Sequence, residues 1–160
     1  MDRPLPVVRA MPNTPALVGA GAAAIAPGRH AGAGDLVWAR SILEAVGTVV
    51  TVSEAQLDAV TGLSGSGPAY VFLVVEALID AGVLAGLSRE VSRALAAQLL
   101  VGSAALLAQT GESPEVLRAM VTSPGGTTAA GLRVLEERAV RAAFLDAVAA
   151  ATERSRQLGA

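Results

Sequence analysis

The chain has 160 residues, 52% of them hydrophobic, and a formal net charge of −2 at neutral pH. With aromatics at 2% and no basic patch, that balance argues against nucleic acid as a partner. The lack of cysteine excludes disulfides, thiolate catalysis and cysteine metal sites. The length suits one domain or one and a fraction. The single histidine, His30, falls in the turn-like Pro27-Gly28-Arg29-His30, a surface setting rather than that of a base. The start, Met1-Asp2-Arg3-Pro4, runs into no apolar core of the kind a secretory leader needs, so the expected location is cytoplasmic.

Leu5 to Ala10 reads as a strand, and Met11-Pro12-Asn13-Thr14-Pro15 as a stiff turn after it. Val18 to Ala26 is small, apolar and strand-like. It contains Gly19-x-Gly21-x-x-Ala24, which superficially resembles a dinucleotide fingerprint. No helical pattern follows, because Pro27-Gly28 stops the segment, so that reading is rejected. Asp35 to Val46 reads as a helix, with Leu36, Ala39, Leu43 and Val46 on one face and Gly47 as its stop. Thr48 to Val52 is β-branched and strand-like.

A different regime begins at Ser53. Ser53-x-x-Gln56 predicts a capping box that opens a helix through Leu63, with Glu54 in the acid-favouring first turn. Leu63-Ser64-Gly65-Ser66-Gly67-Pro68 predicts a flexible joint, with Pro68 suited to the first position of a long helix ending near Ala85. On that helix Glu76 and Asp80 share a face, which reads as an exposed stripe rather than a metal pair, for want of further ligands. Ser88 is the cap of a helix to Gln109 that Gly111 stops. Ser113-Pro114-Glu115 starts the next, and the last runs from about Val140 to Leu158.

Between the segments Glu115 to Thr122 and Ala129 to Glu137 lies Ser123-Pro124-Gly125-Gly126-Thr127-Thr128. Gly125-Gly126 permits φ values closed to other residues, Pro124 keeps Ser123 out of the helical region, and Thr127 is the expected N-cap. A bend with free N–H groups at a helix start suits a small carboxylate or a phosphate. The hydroxyls of Ser123, Thr127 and Thr128 add donors. A plain helix–helix turn with a capping Thr is the competing reading.

Two apolar runs raise a membrane reading, since spanning takes about 20 residues. Ala94 to Gly111 contains Gln98, Gln109, Ser103 and Gly102, and Ala59 to Val75 is broken by Gly65-Ser66-Gly67-Pro68. Both fit helices buried in protein. The expected fold class is therefore mainly α. An all-helical part over 53–160 follows a part over 1–52 with three strands and one helix. The first part leaves sheet edges and faces uncovered, so it reads as the tail of a larger α/β domain.

Three motifs carry a resemblance. Arg9-Ala10-Met11-Pro12-Asn13-Thr14-Pro15, then Asp58-Ala59-Val60-Thr61-Gly62-Leu63-Ser64-Gly65-Ser66-Gly67-Pro68-Ala69-Tyr70, then Met120-Val121-Thr122-Ser123-Pro124-Gly125-Gly126-Thr127-Thr128 resemble the pyrroline-5-carboxylate reductase family. The resemblance covers essentially the whole chain. It implies that residues 1–52 are the end of a Rossmann domain and 53–160 a helical substrate-binding domain that forms a homodimer, often assembled into rings. The family's Gly-rich phosphate loop has no counterpart here. By resemblance, the activity is reduction of the cyclic imine 1-pyrroline-5-carboxylate to L-proline with NADPH or NADH. The implied substrate residues are Glu54, Ser123, Gly125, Gly126, Thr127 and Thr128, with Thr128 near the ring nitrogen. Pro12, Asn13 and Met120 match positions on the nicotinamide side, where the family often carries an amide in place of Met120. No metal is implied. A catalytically silent helical assembly module is the alternative.

Overall fold

The computed structural model describes residues 5–159 and contains two compact units, residues 5–70 with 144–159, and residues 71–143. The chain start Met1–Pro4, on which the expectation about a leader rested, lies outside the described residues.

In the first unit three short strands form one sheet in the order β1-β2-β3. They are β1 (Val8–Met11), β2 (Gly21–Pro27) and β3 (Gly47–Thr51), each displaced slightly from its predicted span. β1 pairs antiparallel to β2, with Val8 opposite Pro27. β2 pairs parallel to β3, with Gly21 opposite Gly47. The parallel pair needs a crossover, supplied by helix α1 (Ala33–Leu43) and a 3-10 turn, Glu44–Val46. Arg40 ties this helix to β3 by donating to the Val49 carbonyl at 2.6 Å and to Thr51 Oγ1 at 3.0 Å. Ala24, Ile25 and Ala26 of β2 are fully buried, as the continuous apolar run of a covered parallel strand requires.

The predicted turn after β1 is a 3-10 helix, Thr14–Val18, with Pro15 near its start. The glycines of the fingerprint-like segment have local duties. Gly19 closes that 3-10 turn at φ +72°. At Gly21 a side chain would collide with the backbone of Ala16 and the Val46 carbonyl.

The capping box at Ser53 forms, with the Ser53 N–H donating to Gln56 Oε1 at 2.9 Å. It opens a 3-10 turn, Glu54–Gln56, followed by α2 (Leu57–Val60). Leu57 packs on Ala24 and Ala26, with Met11, Val52 and Val60 around them. The flexible joint expected at Leu63–Pro68 is not there. Thr61–Gly65 is a single π turn, and α3 (Gly67–Leu84) starts directly after it, with Pro68 its second residue.

Helical continuity through Pro68 has a local explanation. The Ser66 N–H reaches back five residues to the Thr61 carbonyl at 2.8 Å, which absorbs the register change. The Thr61 hydroxyl donates to the Leu57 carbonyl and the Ser64 hydroxyl to that of Val60. In a regular helix the Ser64 carbonyl would accept from residue 68, but proline has no N–H. Asn13 Nδ2 donates to it instead, at 3.0 Å. The Tyr70 hydroxyl donates to the Gly62 carbonyl at 3.3 Å. Gly62 has no room for a side chain because Thr152 and Val148 of α7 (Val140–Gly159) lie against it. Ser155 on the same helix donates to Asp58 at 2.7 Å.

The second unit is helical. Past Tyr70, α3 is followed by α4 (Arg89–Thr110), α5 (Pro114–Met120) and α6 (Thr127–Glu137). The predicted caps at Ser88 and Ser113 accept from the Val91 and Val116 amides. Gly111 ends α4 in the left-handed region at φ +67°. α3 and α4 approach closely where Gly82 faces Ser92, since a Cβ on Gly82 would lie 2.6 Å from Ser92 Oγ. Asp80 pairs with Arg89 at 2.9 Å on the exposed surface. In this unit only Ser92 and Ala96 are fully buried, while Phe72, Leu73, Leu84, Leu95 and Val101 lie exposed. By length and composition, Glu54–Leu84 and Arg89–Thr110 could each cross a membrane, though little of either is buried within the chain.

Candidate functional site

The turn between α5 and α6 belongs to the second unit. α5 stops because the Thr122 hydroxyl and N–H turn back to the carbonyls of Arg118 (2.6 Å) and Ala119 (3.0 Å). Gly125 then adopts φ +69°, where a side chain is strained. Gly126 is extended, at φ −77° and ψ 173°, and is itself the N-cap. The sequence assigns that role to Thr127, which instead is the first helical residue. A glycine in the cap position supplies no side-chain oxygen, so the first amides of α6 stay uncapped.

The Gly126 N–H is not free as expected, because it donates to the Ser123 carbonyl at 3.0 Å. The first helical bond runs from the Ala130 N–H to the Gly126 carbonyl. Among the described residues, the amides of Thr127, Thr128 and Ala129 have no partner, and neither does that of Gly125. Such amides point out along the start of the helix and carry the positive end of its dipole. No charged residue occurs from Ala119 to Leu132, so within this stretch it is the backbone that attracts an anion. A Cβ at Gly126 would lie 2.5 Å from Ser123 Oγ and 3.1 Å from the Ser123 carbonyl oxygen. The second glycine thus serves close approach, and only the first serves a positive φ. Ser123 and Thr127 are exposed and Thr128 is half-buried. Met120, the last residue of α5, is 71% exposed.

Glu54, Pro12 and Asn13 belong to the first unit. Glu54 begins the 3-10 turn after Ser53 and forms an exposed ion pair with Arg9. That partner was missed in the sequence, because the two residues are 45 positions apart. Pro12 and Asn13 line an open cleft of about 420 Å³ with Thr14, Ala16, Leu17 and Gly65. The Asn13 side chain also accepts from the Ala22 N–H at 2.8 Å, besides donating to Ser64. One donor and one acceptor of its amide are therefore spent inside the protein. The sequence held one clue to this: a proline within a helical stretch leaves a carbonyl without its usual donor.

At the start of α5 the Glu115 carboxyl is held below its ordinary value. The cause is first its hydrogen bond with Ser113, then its own backbone N–H, with Arg118 and Arg141 adding weaker attraction. It is a fully solvated group and belongs to helix capping.

Comparison with known proteins gives a consistent result. The family described as "Pyrroline-5-carboxylate reductase dimerisation" matches residues 54–158. A pyrroline-5-carboxylate reductase of Synechocystis is 54% identical over 153 residues, covering 96% of this chain and 57% of the relative. One from Mycobacterium tuberculosis is 55% identical over 170 residues, covering 96% and 58%. Among solved structures, a pyrroline-5-carboxylate reductase from Coxiella burnetii superposes with a TM-score of 0.93 at 43% identity, covering 96% of this chain and 57% of its own. The Plasmodium falciparum pyrroline carboxylate reductase with NADP bound gives a TM-score of 0.89 at 38% identity, covering 97% and 62%. The chain thus spans well under two thirds of these relatives.

Proposed function

The chain belongs to the pyrroline-5-carboxylate reductase family, and from that membership we propose that it supplies the substrate-binding and dimerisation part of such a reductase. The domain division proposed is 1–52 for the end of a dinucleotide-binding domain and 53–160 for the helical domain. The reaction is reduction of 1-pyrroline-5-carboxylate to L-proline by NADPH or NADH in the cytoplasm.

The observation that carries the proposal is the turn Ser123–Thr128 with its uncapped amides. A five-membered imine with one carboxylate needs an anion cradle, and the amides of Gly125, Thr127, Thr128 and Ala129 offer one without a cationic side chain. The Thr128 hydroxyl is assigned to the ring nitrogen. An alcohol is too weak an acid to be the proton reservoir at neutral pH, so Thr128 orients and hydrogen-bonds. Glu54 is assigned to ligand contact by resemblance, and within the first unit Arg9 pairs with its carboxylate.

Nicotinamide fits the described residues in part. The cleft beside Pro12 and Asn13 has room for a ring; Met120, in the second unit, is assigned to the nicotinamide side by resemblance alone. Gly19-x-Gly21 forms no dinucleotide phosphate cradle, because it caps a turn and starts a strand without a following helix. When bound, reduced nicotinamide supplies the hydride to the C=N carbon.

A second reading, a silent assembly module, is favoured by that missing cradle. Titration with proline distinguishes the two. Shifts in amide NMR signals confined to Gly125–Ala129, with an affinity on the order of millimolar or about 4 kcal/mol, support the substrate-site reading. No shift at saturating proline leaves only the assembly module. The proposed partner is a second copy. The exposed apolar helices leave more surface uncovered than a monomer keeps in water.

A further inference from the structure

We propose that Asn13 is a positioning residue: it sets the spacing between the two walls of the Pro12 cleft, and does not hydrogen-bond what the cleft takes in. This rests on the nicotinamide-side reading above and assigns Asn13 its role within it.

One wall is the turn after β1, with Pro12, Thr14, Ala16 and Leu17. The other is Gly65, the last residue of the π turn. Asn13 is fixed between them. Its Nδ2 donates to the carbonyl of Ser64, the residue before Gly65, and its Oδ1 accepts from the Ala22 N–H near the start of β2. Two bonds in different directions fix the plane of the amide. They also fix its orientation, because a flipped amide would set N–H against N–H and oxygen against oxygen. Among the described residues, no other hydrogen bond joins this turn to the π turn.

The neighbouring contacts do not replace that bond. A Cβ on Gly65 would meet the methyl end of Met11 at 2.5 Å, so Met11 is what faces it. A methionine side chain turns about several bonds and yields. Pro12 is stiff in φ, so the turn shifts as a body and the Asn13 amide sets where it stops. The choice of residue follows: aspartate accepts from Ala22 but cannot donate to Ser64, and alanine does neither. Spacing matters to a hydride donor, for which a misplacement of about 1 Å costs about a hundredfold in rate.

Titration of the full chain with nicotinamide mononucleotide, followed by the amide NMR signals of Thr14, Ala16, Leu17 and Gly65, tests this beside urea unfolding. Nicotinic acid mononucleotide, which carries a carboxylate in place of the carboxamide, is the second probe. Asn13→Ala should lose stability and raise the dissociation constants of both probes by the same factor, about two- to tenfold, the range for loosening one ordered group. Pro68→Ala, which restores a helical N–H to Ser64 and does not line the cleft, should bind as wild type does. In Asn13→Ala/Pro68→Ala stability should recover in part while the weak binding remains, because the carbonyl is satisfied and the walls are still unjoined. A double variant that binds as tightly as wild type overturns the positioning role, since Asn13 then serves only the Ser64 carbonyl. A loss confined to the carboxamide probe overturns it too, as the mark of a direct hydrogen bond. Should Asn13→Ala not fold, Asn13→Ser replaces it in both comparisons, being a good N-cap for the 3-10 turn and shorter than the reach to Ser64. A wild-type chain whose cleft signals move with neither probe sinks the nicotinamide-side reading itself.

Discussion

Asn13 Nδ2 donates to the carbonyl of Ser64, the one that Pro68 leaves without a helical donor. One residue of the turn after β1 thereby holds the π turn 51 positions later. Asn13→Ala should leave the Ser64 carbonyl and the Ala22 N–H without partners, destabilising the fold by about 1–3 kcal/mol. Pro68→Ala in the Asn13→Ala background restores an N–H opposite Ser64 and should recover part of that loss. Urea unfolding of the two variants measures both; an unchanged midpoint in Asn13→Ala would show that water replaces the amide at no cost.

Gly126→Val should abolish proline binding while leaving the helices intact. Its Cβ meets Ser123 at 2.5 Å, so the turn must open and the amides of Thr127 to Ala129 lose their common aim. Proline-induced shifts that persist in this variant would move the anion site elsewhere.

Turnover by the purified chain alone should be negligible, followed as the fall in reduced-nicotinamide absorbance. Holding donor and acceptor near 3–3.5 Å contributes roughly 7–11 kcal/mol to such reactions, and Gly19-x-Gly21 runs into a strand instead of the helix start that would hold a dinucleotide's phosphates. Joined to a dinucleotide-binding portion, the chain should turn over pyrroline-5-carboxylate. In that protein, Thr128→Ala should lower turnover about ten- to a thousandfold, the range for one lost transition-state hydrogen bond.

The Glu115 carboxyl should titrate below an ordinary glutamate in an NMR pH series, and Ser113→Ala should return it towards normal. A depressed folded-state value means that its contribution to stability is present above the unfolded pKa and fades as pH falls through the folded one. Because the side chain is fully solvated, the effect on the acid limb of unfolding should be small.

What the sequence makes legible here is local. The caps Ser88 and Ser113, the stop at Gly111 and the capping box at Ser53 depend on residues a turn away, and each forms as read. The Ser123–Thr128 turn was visible for the same reason, although the cap falls on Gly126 instead of Thr127. The flexible joint was misread because what stiffens it is distant. Asn13, Thr152 and Tyr70 converge on the π turn only after folding, and no periodicity encodes that. Arg9 and Glu54 are of the same kind: each looks like an ordinary surface charge until the sheet brings them together.

The exposed leucines and valines of α3 and α4 also govern how this protein behaves at the bench. Dilution is the usual remedy for a protein that aggregates. For the homodimer proposed above, dilution would separate the copies, uncover apolar helices and feed the adhesion it is meant to prevent. Refolding should therefore give its best yield at an intermediate concentration, where the copies find each other before they find misfolded neighbours.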